Sequence, residues 1–131
     1  MSKEIIRQIA SKRFASWQGL NDSLKSYPNM PDKKPPRTGQ WAKLKIEHVL
    51  RKVTSIGSNP CTARTGVLVI EVYERLDVGT KAITELTDDL EQWFSFYREG
   101  DLELGAAYTV DDINKDKAYY LSTVYVPFRY N

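Results

Sequence analysis

The segment from Val67 to Tyr73 constrains the fold most, because it is apolar on both sides of an extended chain. β-branched and aromatic residues of this kind favour a strand. Alternation would place Leu68, Ile70 and Val72 on one face and Val67, Val69 and Tyr73 on the other. A strand that is apolar on both faces needs cover on each, so the sequence predicts a central strand of a sheet.

Two amphipathic helices are predicted to pack on this sheet. The first covers residues 3 to 17 and ends at Gly19-Leu20-Asn21, residues that tolerate the backbone that closes a helix. The second follows a turn at Asp77-Val78-Gly79, with Thr80 as its predicted N-cap. Its apolar residues recur at intervals of three and four: Ile83, Leu86, Leu90, Trp93 or Phe94, and Tyr97.

Further extended segments complete the predicted sheet. Residues 41–50 alternate between apolar and polar, and a long loop joins them to the central strand as an antiparallel hairpin. Residues 102–110 form a strand with an irregularity at glycine, and residues 119–130 form the last strand. Pro127 indicates that the final residues run along an edge or leave the sheet. A short edge strand at Tyr27–Met30 is also possible.

These elements predict an α+β fold with a mainly antiparallel four- to five-stranded sheet and two amphipathic helices packed on one face. The length of 131 residues predicts one domain spanning residues 1–131. A net charge of +2 argues against nucleic-acid binding driven by overall charge. The single cysteine cannot form an internal disulfide, which suits a reducing cytoplasm. No signal peptide and no membrane-spanning segment are expected.

Catalytic chemistry is not predicted. The single histidine, His48, lies on the apolar side of an alternating strand, which favours a core or interface role. Cys61 follows Asn59-Pro60 in a loop, and an incidental residue is a better interpretation than a reactive thiol. The sequence contains no glycine-rich phosphate loop and no cluster with metal-ligand spacing. We therefore expect no enzyme, no cofactor and no metal.

Two basic loops are candidates for contact with a partner or for lining a channel, although solvated loops are the ordinary explanation. They contain Lys33, Lys34 and Arg37 in a proline-rich segment, and Arg51, Lys52 and Arg64 around the hairpin tip. The chain is also rich in rings, more than a small sheet can bury. The candidates for a subunit interface are Trp41, Tyr119, Tyr125 and Tyr130. An alternative is a small nucleic-acid-binding domain that stacks bases on rings beside Lys43 and Lys45.

Over nearly its full length the chain resembles the tail terminators of long-tailed bacteriophages, also called minor tail or tail-completion proteins. The resemblance is carried by the opening helix, the proline-rich segment, Trp41 at the start of a strand, Thr65-Gly66-Val67, Asp77-Val78-Gly79-Thr80 and the terminal VPFRY.

This resemblance implies an α+β subunit, without a catalytic residue set, that closes into a homo-hexameric ring. The ring would cap the tail tube, stop its polymerisation and offer a surface to the head-completion or neck protein, with DNA passing through the channel. It would be assembled in the host cytoplasm and lie at the head-proximal end of the virion tail. A head-side neck adaptor is the related alternative.

Overall fold

The computed structural model describes residues 2–28, 30–31, 34, 36–53, 62–76, 78–112 and 119–131. Two α-helices are present in these ranges, α1 (Ser2–Ser16) and α2 (Lys81–Phe94), with a 3₁₀ turn at Asp22–Leu24. The strands are β1 (Lys25–Ser26), β2 (Trp41–Val53), β3 (Thr62–Arg75), β4 (Arg98–Glu99), β5 (Leu102–Leu104), β6 (Tyr108–Asp112) and β7 (Tyr119–Tyr130).

The described strands form one sheet in the order β1-β2-β3-β7-β5-β4, and β6 also pairs with β7. The β1–β2 pair is parallel and the other pairs are antiparallel. The α+β class is therefore confirmed, but the expected strand number was wrong. The sheet is mixed and has seven strands in the described ranges, because β1 and β4 are too short to show periodicity and the predicted strand over residues 102–110 is divided into β5 and β6.

β3 is the central strand, as the sequence predicts, and it pairs along its length with β2 and β7. The even-numbered residues 42–48, 66–74 and 120–128 of these strands share one face, which we call the helix face. Both helices join a single core on this face. Its members with no more than 1% exposure are Ile6, Ala10, Phe14, Ala42, Leu44, Leu68, Ile70, Val72, Ile83, Leu90, Phe94, Leu102, Val124 and Val126.

Polar side chains hold the helices to one another. The indole Nε1 of Trp17 donates to Asp89 Oδ2 at 2.7 Å. The guanidinium of Arg13 lies 3.7 Å from the ring centre of Trp93 and donates to the backbone carbonyl of the same residue. The indole, the carboxylate and the guanidinium each have a hydrogen-bond partner across the contact between the α1 segment and α2. These bonds hold the two helices side by side as one layer over the helix face.

Pro127 does not lie at an edge, contrary to the expectation, because β7 is paired on both sides. Its carbonyl accepts from the backbone N–H of Gly105. The N–H and C=O of one strand residue point to the same side, so the donor that proline lacks would also point toward Gly105. The ladder is interrupted there between β5 and β6, and an interior proline is tolerated for this reason.

Two smaller expectations also need correction. Thr80 is the N-cap residue of α2, but its side chain makes no capping hydrogen bond. Its backbone is helical (φ −117°, ψ −2°), whereas side-chain capping needs an extended residue. The short strand before β2 lies at Lys25–Ser26 rather than Tyr27–Met30, since Pro28 cannot donate to a ladder.

Candidate assembly surface

The face of the sheet opposite the helices, which we call the outer face, consists of the odd-numbered residues 41–47, 67–75 and 119–127 with Tyr108 and Val110. In the described part of the chain neither helix packs on it, because the core residues of both contact the helix face. A groove of about 470 Å³ runs over this face. Along it, Lys45 Nζ and Glu71 Oε1 form an ion pair at 2.6 Å.

Trp41 and Tyr119, two of the predicted interface rings, meet at one end of the outer face. The ring of Trp41 stacks on Tyr73 with centroids 5.5 Å apart and meets Tyr119 edge-on at 4.9 Å. The Arg75 guanidinium carbon lies 5.2 Å from both the Trp41 and the Tyr119 rings. Trp41 is 9% exposed, so its ring is packed mainly by neighbours from the same chain.

Tyr125 lies in a second group on the same face, where its ring stacks on Tyr108 at 5.3 Å. Tyr108 is 52% exposed and the adjacent Val110 is 51% exposed. Tyr130, by contrast, packs against the core as a partly buried residue. The structure thus places three of the four predicted rings on the outer face and accounts for the fourth by core packing.

Sequence reasoning did not select Tyr73, Arg75 or Tyr108 as parts of this surface. The first two lie at odd positions of β3. The alternation that separates Tyr73 from Leu68 and Ile70 is therefore a sequence signal that places them on this face. The stacking of Tyr108 on Tyr125 depends on the β6–β7 register, which follows the interruption at Gly105. No local pattern fixes that register.

Two edges of the sheet are open within the described ranges. On one side, β1 pairs with β2 only at Ala42 and Lys43, so β2 has no described neighbour on that side from Leu44 to Val53. On the other side, β6 pairs with β7 alone. Open edges expose rows of backbone donors and acceptors that can pair with another chain.

The predicted basic residues fall at opposite ends of the β2–β3 ladder. Lys34 and Arg37 are exposed in the segment that leads into β2. Arg64 lies at the far end, where its Cα is in register with that of Arg51. At the rise of a strand residue, the two ends of β2 are about 40 Å apart. Lys33 and the side chains of Arg51 and Lys52 lie outside the described residues. The two basic loops therefore do not form one patch.

A pocket of about 500 Å³ lies between the start of α1 and the open part of β2. It is lined by Lys3, Glu4, Arg7, Pro28, Ile46, His48 and Arg64. Burial lowers the pKa of the His48 imidazole below its ordinary value, and the positive charges of Lys3 and Arg64 lower it further. The ring meets Phe128 edge-on at 5.8 Å, which agrees with a histidine at the margin of the core. Cys61 lies outside the described residues.

Comparison with protein-family models and with curated proteins finds no match for this chain. In the part of the chain that the structure describes, no group of three or more His, Cys, Asp or Glu residues is placed to hold a metal ion. No helix there is long and apolar enough to cross a bilayer. The outer face, the two open edges and the two basic ends are therefore the candidate contact surfaces of the chain.

Proposed function

We propose that this chain is a structural subunit that closes into a homo-hexameric ring at the head-proximal end of a bacteriophage tail. The ring caps the tail tube, ends its polymerisation and provides the attachment surface for the head. The chain performs no catalysis and needs no cofactor in this role. Its partners are other copies of itself, the tube protein and a head-completion or neck protein.

The observation that carries the proposal is the one-sided architecture. Both helices cover the helix face, while no described helix covers the outer face and two sheet edges have no described neighbouring strand. Tyr108 and Val110 are more than half exposed on that side. Large exposed apolar side chains beside open edges are typical of a surface that another protein covers. Such a fold suits a ring, which needs different surfaces on the two sides of each subunit.

The separation of the basic residues supports a cap with two binding ends. The Arg37 end and the Arg64 end lie about 40 Å apart along the strands. With strands inclined to the ring axis, one end meets the tube and the other meets the head-side protein. DNA in the channel would then pass basic side chains without sequence-specific contacts.

Nucleic-acid binding through the outer face is less well supported. Lys45 is paired with Glu71, and Glu47 is exposed on the same strand. Carboxylates on this face repel a phosphate backbone, and the paired lysine offers little net charge to it. A gel shift with short DNA or RNA should therefore show no appreciable affinity.

Native mass measurement with negative-stain imaging tests the ring, with and without purified tail tubes. We expect closed rings on tube ends. Tails made without this protein should be overlong or headless, and tails of normal length with heads attached would refute the proposal.

Charge reversal distinguishes the two ends. Arg37→Glu and Arg64→Glu should each disrupt a different junction, one with the tube and one with the head. Arg98→Glu is a control at the level of Arg64 along the strands but three strands away from it, on β4. Loss of the same junction in both end variants would contradict the assignment of two binding ends.

A further inference from the structure

We infer that β6 of one copy pairs, antiparallel, with the open part of β2 in a second copy of the same chain. This inference rests on the proposed ring and identifies the strand edges that build it. The occupant of each edge is thus the opposite edge of an identical subunit.

Strand direction supports this pairing. β2, β3, β7 and β6 are successive neighbours, and each adjacent pair is antiparallel. β2 and β6 therefore run in opposite directions. When a second copy is placed by rotation about an axis to which the strands are inclined, its β2 meets β6 of the first copy as an antiparallel neighbour. The same ladder then continues across subunits through two different edges, which is the heterologous contact that closes rings.

β1 determines how the copies are offset. Tyr108 at the start of β6 lies level with Lys45 of β2 across the two intervening strands. β1 occupies the edge of β2 at Ala42 and Lys43. The β6 of a neighbour must therefore move along β2, away from β1, to reach backbone groups without a described partner. Such a stagger is compatible with a closed ring when the strands are tilted to the ring axis, as they are in closed β-barrels.

The β6 edge carries apolar side chains that the isolated subunit leaves in water. Tyr108 and Val110 are 52% and 51% exposed, and Phe96 is 76% exposed. Phe96 lies at the same edge, since its N–H donates to the carbonyl of Gly105. Its φ is 61°, a left-handed conformation that a bulky residue rarely adopts. Strain combined with exposure of a phenyl ring points to a contact made only on assembly.

Charge complementarity favours a second copy as the occupant. Beside β6, Glu91 accepts from Thr109 Oγ1 and Asp111 accepts from Ser122 Oγ, so both carboxylates lie on this side of the subunit. Beside the open part of β2, the pocket contains three cations and one carboxylate. The cations are Lys3, Arg7 and Arg64, and Glu4 is paired with Arg7. Opposite charge on the two edges favours head-to-tail contact over contact between like edges.

Disulfide trapping tests the pairing in the full chain with Cys61→Ser. Val110→Cys is combined with Lys45→Cys or with Glu47→Cys, since all three positions lie on the outer face. In one chain these positions are three strand spacings apart, about 14 Å, too far for an internal disulfide. We expect at least one of these double variants to form a ladder of oligomers on oxidation.

Two controls test which faces and which strand edges meet between the copies. Thr109→Cys with Glu47→Cys places the thiols on opposite faces of the continued sheet, so it should not form a ladder. The single variants should not form dimers, because a heterologous contact brings two different edges together. Dimers of the Glu47→Cys or Lys45→Cys single variant would indicate two-fold pairing of β2 edges and would overturn the inference.

The inference and the proposed function can fail separately. If closed rings form on tube ends but neither double variant forms cross-linked oligomers, the proposed ring stands and the β6–β2 contact is refuted. If the cross-linked oligomers grow past six copies without closing, the β6–β2 contact stands and the hexameric ring is refuted. No ladder and no ring would overturn both.

Phe96→Gly supplies an independent measurement. Glycine adopts a φ of 61° without strain, so we expect a higher urea midpoint for the isolated subunit. The same change should lower the yield of cross-linked oligomers about tenfold if the phenyl ring of Phe96 contributes to the β6–β2 contact. A variant that is more stable and assembles as well as the original chain would remove Phe96 from the interface.

Discussion

The two faces of the sheet bury their side chains by different means. On the helix face, Leu44, Ile70 and Val124 are completely buried under two helices. On the outer face, Trp41 is nearly as buried, but its cover consists of rings and the Arg75 guanidinium of its own chain. The helix face is therefore buried by apolar packing under the helices, whereas at one end of the outer face aromatic rings pack on one another and on a long polar side chain.

This difference assigns different tasks to the two faces. Close packing on the helix face provides most of the free energy of folding, because apolar burial dominates that free energy. Ring stacking and ion pairs on the outer face contribute less per residue, but they leave polar groups accessible at the margins. A face of this kind can remain in water in the free subunit and still contact a neighbour.

The largest expected effect tests whether the helix face carries the stability. Val72→Ala and Val69→Ala remove the same two methyl groups from β3, at a helix-face position with 0% exposure and an outer-face position with 6% exposure. We expect Val72→Ala to cost about 2–3 kcal/mol in the free energy of unfolding, since it leaves a cavity under the helices. Val69→Ala should cost about 1 kcal/mol. Equal losses in urea unfolding would contradict the contrast between the faces.

A second comparison uses one lysine from each face. Lys25 is 1% exposed, and its Nζ donates to the carbonyls of Trp17 at 2.6 Å and Ala15 at 3.2 Å, at the end of α1. Lys25→Met leaves these carbonyls without that donor, so we expect a loss of about 2 kcal/mol. Lys45→Met breaks only a half-exposed ion pair and should cost about 0.5 kcal/mol or less. Thermal unfolding of both variants measures the difference, and a larger loss for Lys45→Met would reverse the interpretation.

A third, smaller effect concerns the outer cluster. Arg75 lies over the Trp41 and Tyr119 rings and donates to the carbonyl of Pro36. Arg75→Gln should cost about 1 kcal/mol, through loss of cation–π contact and of that hydrogen bond. Arg98→Gln, which breaks an exposed pair with Glu103, is the matched control and should change little. If the two variants lose the same stability, the cluster is not a packed unit.

Much of the fold could be predicted because periodicity reports burial. The double-sided apolar pattern of β3 and the stripe of α2 are direct consequences of the faces that they contact. The short strands could not be predicted, since β1 and β4 have two residues each and show no period. The expectation that Pro127 lies at an edge was wrong because tolerance of an interior proline depends on the interruption opposite it, which is a tertiary feature.

The candidate surface was predicted only in part for the same reason. Trp41, Tyr119 and Tyr125 were selected as rings in excess of what a small core can bury, and all three lie on the outer face. Tyr130 was selected on the same grounds and packs on the core. Phe96 was missed because positive φ and exposure are consequences of how α2 ends against β5. Composition can identify a surplus of rings, but it cannot say which ring remains outside.

The smallest expected effect is a dependence of stability on pH that arises at the margin of the helix face. The pKa of His48 is lowered in the folded chain by burial and by Lys3 and Arg64, so the unfolded chain binds more protons around the ordinary imidazole pKa of about 6.5. Stability should therefore be complete above that value and fall as pH decreases through it. His48→Gln should flatten the dependence measured by urea unfolding between pH 7.5 and 5. An unchanged slope in that variant would mean that other groups cause the pH dependence and that the basic pocket does not act on His48.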